Sequence, residues 1–246
     1  MSEHKETSPS RRVFLGAAGA GLGALALAPG LQLIEISQAS TPAPGASSKV
    51  RWGMLIDSTK CAKGCDACVT ACNTENAINE TVRDPRQGAQ WIRKIDLKDL
   101  KTGREHSLPM LCQHCAHPPC VDVCPTGASM KRADGIVLVD RHRCIGCRYC
   151  MLACPYKARS LVFTPLTEQN PEVPRGKGCV ESCTFCVQRV DKGLQPACVD
   201  ACPEGAMTFG DLNDRNSAIS QRLARVNSRE VRADLKLDLG VRYEGI

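Results

Sequence analysis

Residues 144–155 read Cys144-Ile145-Gly146-Cys147-Arg148-Tyr149-Cys150-Met151-Leu152-Ala153-Cys154-Pro155. The first three of these cysteines have two residues between neighbours, in a segment short enough to form one loop, and three residues separate the third from the fourth. A three-residue step into a helix turns the fourth thiol away from the others, and the proline behind it fixes the backbone. The stretch therefore predicts a loop that presents three thiols to one site and a fourth thiol to a neighbouring site.

The 17 cysteines of this 246-residue chain fall into four groups of four, with Cys179 left over. Group one is Cys61, Cys65, Cys68 and Cys72; group two is Cys112, Cys115, Cys120 and Cys124; group three is Cys144, Cys147, Cys150 and Cys154; group four is Cys183, Cys186, Cys198 and Cys202. Groups one and three each follow Leu-Ile-Asp or Leu-Val-Asp, and groups two and four share the ending Val-Asp-x-Cys-Pro-x-Gly-Ala. The chain therefore carries an internal duplication.

Thiols at this spacing are typical of iron–sulfur ligation, in which three close cysteines bind one cluster and the fourth binds its neighbour. Disulfides are disfavoured, because cysteines two or three apart in long series cannot all pair without strain. Structural zinc uses separated pairs of cysteines, and a thiol catalyst needs one activated cysteine rather than four groups. We therefore predict four [4Fe–4S] clusters, with a zinc-stabilised interaction module as the alternative.

Charge and composition exclude several other classes of protein. The formal net charge is +6, but each oxidised cluster with four thiolates carries about −2, so four clusters would bring the total to about −2. Lys and Arg are also dispersed rather than striped, so we expect no nucleic-acid partner. The composition is not that of a coiled coil, a collagen-like chain or a disordered protein. Since the sequence shows no nucleophile–base pair or carboxylate dyad, we predict no catalytic residues.

Residues 1–39 read as an export signal. Arg11 and Arg12 precede a mild apolar run at 13–28, and Ser37-Gln38-Ala39 offers a small-x-small cleavage site. This pattern is typical of a twin-arginine signal peptide; the run is short for a membrane span, and an uncleaved anchor is the alternative. Residues 40–49 predict a flexible linker. We expect a periplasmic protein, peripheral on the outer face of the cytoplasmic membrane, whose mature form has no transmembrane span.

The segment between groups two and three bears on how the groups pair. Ala128–Lys131 and Ile136–Val139 read as short strands joined by a turn at Asp134-Gly135. Such a hairpin has the size of the one inside a two-cluster unit, so we predict that groups two and three form an inner unit with groups one and four around it. Spacing alone also allows group one to pair with two and group three with four.

Three segments resemble a known family: Cys183-Thr184-Phe185-Cys186-Val187-Gln188-Arg189 with Gln195-Pro196-Ala197-Cys198, Cys112-Gln113-His114-Cys115 with Pro118-Pro119-Cys120, and Phe209-Gly210-Asp211-Leu212-Asn213-Asp214. They resemble the iron–sulfur electron-transfer subunits of the dimethyl-sulfoxide-reductase type, in outline over residues 50–246. The resemblance implies an α+β fold of two interleaved bacterial-ferredoxin-like modules, with short hairpins, short helices and irregular extensions. The outer module would span 50–111 and 179–210, and the inner module 112–178. Residues 211–246 would form a C-terminal helix and an extended docking arm.

The resemblance also implies four ligand sets. Set 1 is Cys61, Cys65, Cys68 and Cys202; set 2 is Cys72, Cys183, Cys186 and Cys198; set 3 is Cys112, Cys115, Cys120 and Cys154; set 4 is Cys124, Cys144, Cys147 and Cys150. The chain departs from the family pattern by placing three residues, not two, between Cys61 and Cys65. Cys179 is interpreted as a buried free cysteine, with an alternative ligand or a link to a partner as the other interpretation.

Within the family, the chain is similar to DsrO, the periplasmic iron–sulfur subunit of the sulfite-reduction-associated transmembrane complex. The resemblance implies an electron-transfer subunit in dissimilatory sulfur metabolism, not an enzyme with its own substrate site. Its partners would be a polytopic quinone-reactive membrane subunit and a multihaem cytochrome c or molybdoenzyme subunit. The alternatives are an iron–sulfur subunit of a tetrathionate or polysulfide-type molybdoenzyme or of a membrane-bound hydrogenase, and a soluble polyferredoxin.

Several charged and imidazole side chains stand beside the cysteines. Lys60, Arg143 and Arg148 either raise the reduction potentials of nearby clusters or form a solvated face. Because the cysteine count is already complete, His114 and His117 are predicted to have loop or hydrogen-bonding roles rather than to bind iron.

Overall fold

The computed structural model of the protein describes residues 46–79, 87–103 and 105–246. The predicted signal peptide and most of the predicted linker lie outside the described residues. The described helices are α1 (Ala67–Glu75), α2 (Pro119–Asp122), α3 (Tyr149–Ala153), α4 (Val187–Val190), α5 (Ala197–Asp200) and α6 (Ala218–Leu223), with a 3-10 helix at Ala233–Leu235. Within these ranges no helix has the length and apolar character needed to cross a membrane.

The described strands are β1 (Trp52–Asp57), β2 (Ile92–Lys98), β3 (Glu105–Leu111), β4 (Ser129–Lys131), β5 (Val137–Val139), β6 (Ser160–Leu161), β7 (Val180–Glu181), β8 (Met207–Asp211), β9 (Ser228–Arg229) and β10 (Val241–Glu244). Four of them form a sheet in the order β8-β1-β10-β9, and the others form the hairpins β2–β3, β4–β5 and β6–β7. These small sheets and short helices confirm the predicted mixture of helix and strand. The division into two interleaved modules stays a prediction.

The predicted hairpin between groups two and three is confirmed. Strands β4 and β5 pair antiparallel, with Ser129 opposite Val139, and Gly135 in the connecting turn has a φ of 87°. A longer hairpin precedes group two, in which β2 pairs antiparallel with β3 and Ile92 stands opposite Leu111. Within residues 211–246, where a C-terminal helix is predicted, the structure has α6 at Ala218–Leu223.

The C-terminal segment differs from the predicted docking arm. Strand β10 pairs parallel with β1 and antiparallel with β9, and Leu239, Val241 and Tyr243 are each at most 1% exposed. The hydroxyl of Tyr243 donates a hydrogen bond to the carbonyl of Pro109 at 3.1 Å. The arm prediction is therefore wrong. These apolar residues are buried against strands that are distant in sequence, so the core already uses the face that a partner would have needed.

Four aromatic rings form a continuous series of contacts through the core, stacked at both ends and edge-to-face between Phe209 and Phe185. Trp52 packs on Phe209 and Phe209 on Phe185, each at a centroid distance of 5.2 Å, and Phe185 stacks on His114 at 3.6 Å. Phe185 lies in the loop of group four and His114 in the loop of group two. The stacking of Phe185 on His114 therefore fixes these two cysteine loops against each other.

Candidate metal centres

The thiols of set 1 border one cavity. Its empty volume is about 310 Å³, and its lining includes Cys61, Cys65, Cys68 and Cys202 with Lys60 and Lys94. Cys61 and Cys65 come from the loop that leads into α1, Cys68 lies in the first turn of α1, and Cys202 comes from the turn after α5. Burial raises the pKa of Cys68 to about 11, and the nearby thiols of this set add to the rise.

The thiols of set 2 are deeply buried. Cys72 lies on α1 one turn after Cys68, and burial raises its pKa well above the usual value, with contributions from Cys186 and Cys198. The pKa of Cys183 is raised in the same way, first by burial and then by Cys72 and Cys198. The structure thus brings Cys72 of group one next to three thiols of group four. Because Cys68 also raises the pKa of Cys198, sets 1 and 2 are neighbours.

The thiols of set 3 are also close together. Burial raises the pKa values of Cys112 and Cys115 to about 12. The nearby thiols of Cys120 and Cys154 add to the rise of both pKa values. Cys120 lies on α2, and Cys154 follows α3. Burial raises the pKa of Cys120 as well. Its neighbours include Cys154 of its own set and Cys150 of set 4. Sets 3 and 4 are therefore neighbours.

The thiols of set 4 border a second cavity. Its empty volume is about 300 Å³, and its lining includes Cys124, Cys144, Cys147 and Cys150. Cys147 is exposed, whereas Cys150 is buried. Gly146 between them has a φ of 69°, and a Cβ at this position would lie 2.3 Å from the carbonyl oxygen of Gly178. The loop thus needs glycine both for its conformation and for this close approach.

A left-handed residue lies in each cysteine loop, at Gly64 (φ 77°), His114 (φ 44°), Gly146 (φ 69°) and Phe185 (φ 53°). Such a residue turns the chain sharply, so that cysteines on both sides of it face one centre. For His114 and Phe185, which have side chains, this conformation costs about 1–3 kcal/mol. Their mutual stacking in the core offsets that cost.

Backbone N–H groups point at four of the cysteine sulfurs. Ser129 donates to Cys124 and Ala206 to Cys202 at 3.3 Å, while Val180 donates to Cys144 and Phe185 to Cys183 at 3.4 Å. Burial would raise the pKa of Cys124, but its hydrogen bonds with the 126–129 segment lower that pKa below the usual value. Hydrogen bonds to sulfur favour the thiolate and raise the reduction potential of a bound cluster.

The chemistry of these sets fits an iron–sulfur cluster. Each set contains a buried thiol whose pKa is raised, and such a thiol ionises when a bound cation replaces its proton. Buried donors also lack hydrogen-bond partners among the described residues, namely Nη1 and Nη2 of Arg159 and Nε2 of His114. Within the same ranges no three His, Cys, Asp or Glu side chains are grouped to hold a single metal ion. A bound [4Fe–4S] cluster would supply one-electron redox chemistry.

Two cations beside the sets were missed by the sequence analysis. The ammonium of Lys94 on β2 lies 3.6 Å from the sulfur of Cys61, and the guanidinium of Arg159 faces Cys112, Cys120 and Cys150. Nothing in the local sequence marks either residue, because both reach the cysteines through tertiary packing. Of the basic residues that the sequence did suggest, Lys60 and Arg148 line the cavities of sets 1 and 4.

The remaining candidates have structural contacts. Nδ1 of His114 accepts a hydrogen bond from the N–H of Val137 at 3.0 Å, and burial together with Arg159 lowers the pKa of His114 to about 3. His117 is exposed. Cys179 is 9% exposed, and its thiol donates to the carbonyl of Arg141 at 3.3 Å.

Comparison with known proteins agrees with this chemistry. Residues 104–212 match the family model of the 4Fe-4S dicluster domain. The chain is 42% identical to the Hdr-like menaquinol oxidoreductase iron-sulfur subunit 1 of Archaeoglobus fulgidus, over 95% of this chain and 97% of the relative. It is 38% identical to a tetrathionate reductase subunit of Salmonella typhimurium, over 87% and 78%. It is also 38% identical to the arsenate respiratory reductase iron-sulfur subunit of a Shewanella species, over 70% and 86%.

Fold, thiol groups and relatives together define a 4Fe–4S ferredoxin-type electron-transfer protein. The chain belongs to the family of iron–sulfur subunits of molybdoenzyme and menaquinol oxidoreductases. The relatives are electron-transfer subunits rather than catalytic ones, so the prediction that the chain is not itself an enzyme is confirmed.

Proposed function

We propose that the chain relays single electrons through four [4Fe–4S] clusters, bound by sets 1 to 4. The grouping of its cysteines carries the proposal. In each set three thiols come from one sequence group and the fourth comes from another, as expected for clusters that share ligands within a two-cluster unit. Group one exchanges its fourth cysteine with group four, and group two with group three, which supports the pairing of an outer and an inner unit.

Neighbour relations support a row in the order 1, 2, 3, 4. Cys68 of set 1 adjoins Cys198 of set 2, and Cys120 of set 3 adjoins Cys150 of set 4. Between the two pairs, the stacked rings of Phe185 and His114 join the loop that holds Cys183 to the loop that holds Cys112. An electron that enters at one end would pass through each cluster in turn.

We further propose that the row connects a polytopic quinone-reactive membrane subunit to a multihaem cytochrome c or a molybdoenzyme subunit. One relative is named as a subunit of a menaquinol oxidoreductase, which supports the quinone side. Export by the twin-arginine pathway, a periplasmic location and a role in sulfur metabolism of the DsrO kind belong to this proposal. The second candidate is the iron–sulfur subunit of a molybdoenzyme, which the similarity to the tetrathionate reductase subunit favours.

Cluster number and pairing are tested together by metal analysis of the anaerobically purified protein. We expect about 16 iron and 16 labile sulfide per wild-type chain. Cys124→Ala and Cys147→Ala combined should remove about four irons, because both thiols belong to set 4. If group one instead paired with two and group three with four, the double variant would lose about eight.

The matched control is Cys179→Ser, which changes the cysteine outside the four sets and should keep the full iron content. A colourless wild-type protein that contains zinc would contradict the electron-relay function. Isolation of the mature protein from membranes as a free monomer, with no redox subunit retained, would contradict the proposed partners.

Lys94→Met is expected to lower the reduction potential of one cluster, at set 1. The ammonium near Cys61 favours the reduced, more negative cluster, so its removal favours the oxidised one. For this half-buried charge the shift should be about 20–80 mV, from Coulomb's law with solvent screening. An EPR-monitored redox titration measures it, with Lys101→Met at the exposed β2–β3 turn as the control. Equal shifts in both variants would show that the effect is only one of net charge.

A further inference from the structure

Arg159 is a buried cation in an unusual position. It is 5% exposed and lies directly before β6. The pairing of β6 with β7, in which Ser160 stands opposite Glu181, fixes the backbone next to it. Taking a guanidinium out of water costs several kcal/mol unless charge and hydrogen bonds compensate. The structure must therefore supply a negative partner for this side chain.

No protein carboxylate fills this role among the described residues. The terminal nitrogens Nη1 and Nη2 of Arg159 are both buried and have no hydrogen-bond partner there. Arg175 is the internal comparison, because it is buried to the same degree and its guanidinium makes a bidentate pair with Glu181 at 2.6 and 2.9 Å. The fold thus builds a conventional ion pair for one buried arginine and leaves the other facing sulfur.

The charges that face Arg159 belong to two different sets. Burial alone would lower the pKa of Arg159, but Cys120 and Cys112 of set 3 and Cys150 of set 4 raise it above the usual value. Since Cys120 and Cys150 also adjoin each other, the guanidinium lies where sets 3 and 4 meet. A guanidinium carries five N–H donors in a rigid planar fork, so one side chain can donate to two acceptors on different sides.

We propose that Arg159 is a positioning residue shared by the clusters of sets 3 and 4, donating N–H bonds to sulfur of both and raising both reduction potentials. This inference rests on the proposed function. A bound cluster would take one electron from the adjacent donor, from [4Fe–4S]²⁺ to [4Fe–4S]⁺, with no proton transferred and no bond broken. The fixed charge of Arg159 balances the added negative charge. The shared cation thereby makes both clusters easier to reduce.

The test is an EPR-monitored redox titration of the holoprotein carrying Arg159→Met, Arg159→Lys or no change. Arg159→Met should lower the reduction equilibrium constants of two clusters by tenfold or more, which is about 59 mV for one electron, and leave the other two unchanged. Arg159→Lys keeps the positive charge but not the planar fork of donors. It should recover at least half of the reduction potential that Arg159→Met loses at each of the two clusters. Lys94→Met serves as the matched control, because it should move a different cluster.

A second measurement needs no variant and covers the case in which Arg159→Met fails to assemble. Pulsed EPR of the reduced wild-type protein, grown with ¹⁵N-arginine, should show a hyperfine coupling from arginine nitrogen to a reduced cluster. Unshifted potentials with no such coupling, or an equal shift in all four clusters, would overturn the role of Arg159 alone. A wild-type protein without any paramagnetic reduced cluster would overturn the proposed function as well.

Discussion

Replacement of Glu181 by alanine is expected to lower the free energy of unfolding by about 3–5 kcal/mol. Glu181 on β7 accepts two hydrogen bonds from the Arg175 guanidinium and a third from the indole N–H of Trp91 at 3.0 Å. Arg175 also donates to the carbonyl of Ala77, close behind α1. The substitution leaves a buried guanidinium without its carboxylate, in a network that connects β7, the residue before β2 and the segment after α1. Anaerobic urea unfolding, followed by far-UV circular dichroism, measures the loss.

The chain provides a matched control for this ion pair. Glu172 pairs with Lys192 at 2.6 Å, but both side chains are more than half exposed, so Glu172→Ala should cost only about 0–1 kcal/mol. Glu181→Gln keeps the shape of the side chain and part of its hydrogen bonding. Its loss of unfolding free energy should lie between those of Glu181→Ala and Glu172→Ala. Equal effects of Glu181→Ala and Glu172→Ala would show that burial does not determine the strength of these pairs.

Replacement of Gly146 by alanine is expected to remove the cluster of set 4 and leave the other clusters in place. The left-handed backbone alone costs an alanine about 1–2 kcal/mol. The larger effect is steric, since the new Cβ would lie 2.3 Å from the carbonyl oxygen of Gly178. The loop must move away from Gly178, and Cys144 and Cys147 on either side of Gly146 must move too. Metal analysis should show about four irons fewer per chain.

Gly193→Ala separates the effect of backbone strain from the effect of the steric collision. Gly193 has a similar φ of 75°, but a Cβ there would meet open space. This variant carries the backbone strain without the collision, so it should lose about 1–2 kcal/mol of stability and keep the full iron content. Retention of wild-type iron by Gly146→Ala would mean that the loop tolerates the shift and that its close approach to residue 178 is not needed for assembly.

Local sequence was sufficient for features that depend on short spacing. The cysteine groups, the turn at Asp134-Gly135 and the strands beside it all lie within a few residues of one another, where backbone geometry and side-chain period decide the outcome. The same is true of the family, because its motifs are short and rich in cysteine. Assignment of each thiol to a cluster came from the resemblance and stays a prediction.

Features that depend on distant contacts could not be predicted. Lys94 and Arg159 look like ordinary surface cations in sequence, and only folding brings them to Cys61 and to the junction of sets 3 and 4. The segment with Leu239 and Tyr243 looked like a free apolar arm because its partner strand is distant in sequence. Strand β1 precedes all four cysteine groups, whereas this segment follows them. An apolar residue in sequence shows that it needs burial, but not which element will bury it.

The position of β10 in the sheet has a consequence for biosynthesis. This strand lies between β1 and β9, yet the ribosome makes it after every cysteine of the chain. Until Val241–Glu244 emerges, β1 has an open edge on one side and the ring of Tyr243 is missing from the core. Completion of the sheet is thus a late event in synthesis, because it pairs two strands that are far apart in sequence. Until then the group-two loop also lacks the backbone hydrogen bond that Ala116 donates to Asp238 and the one that Gln113 accepts from Gly240.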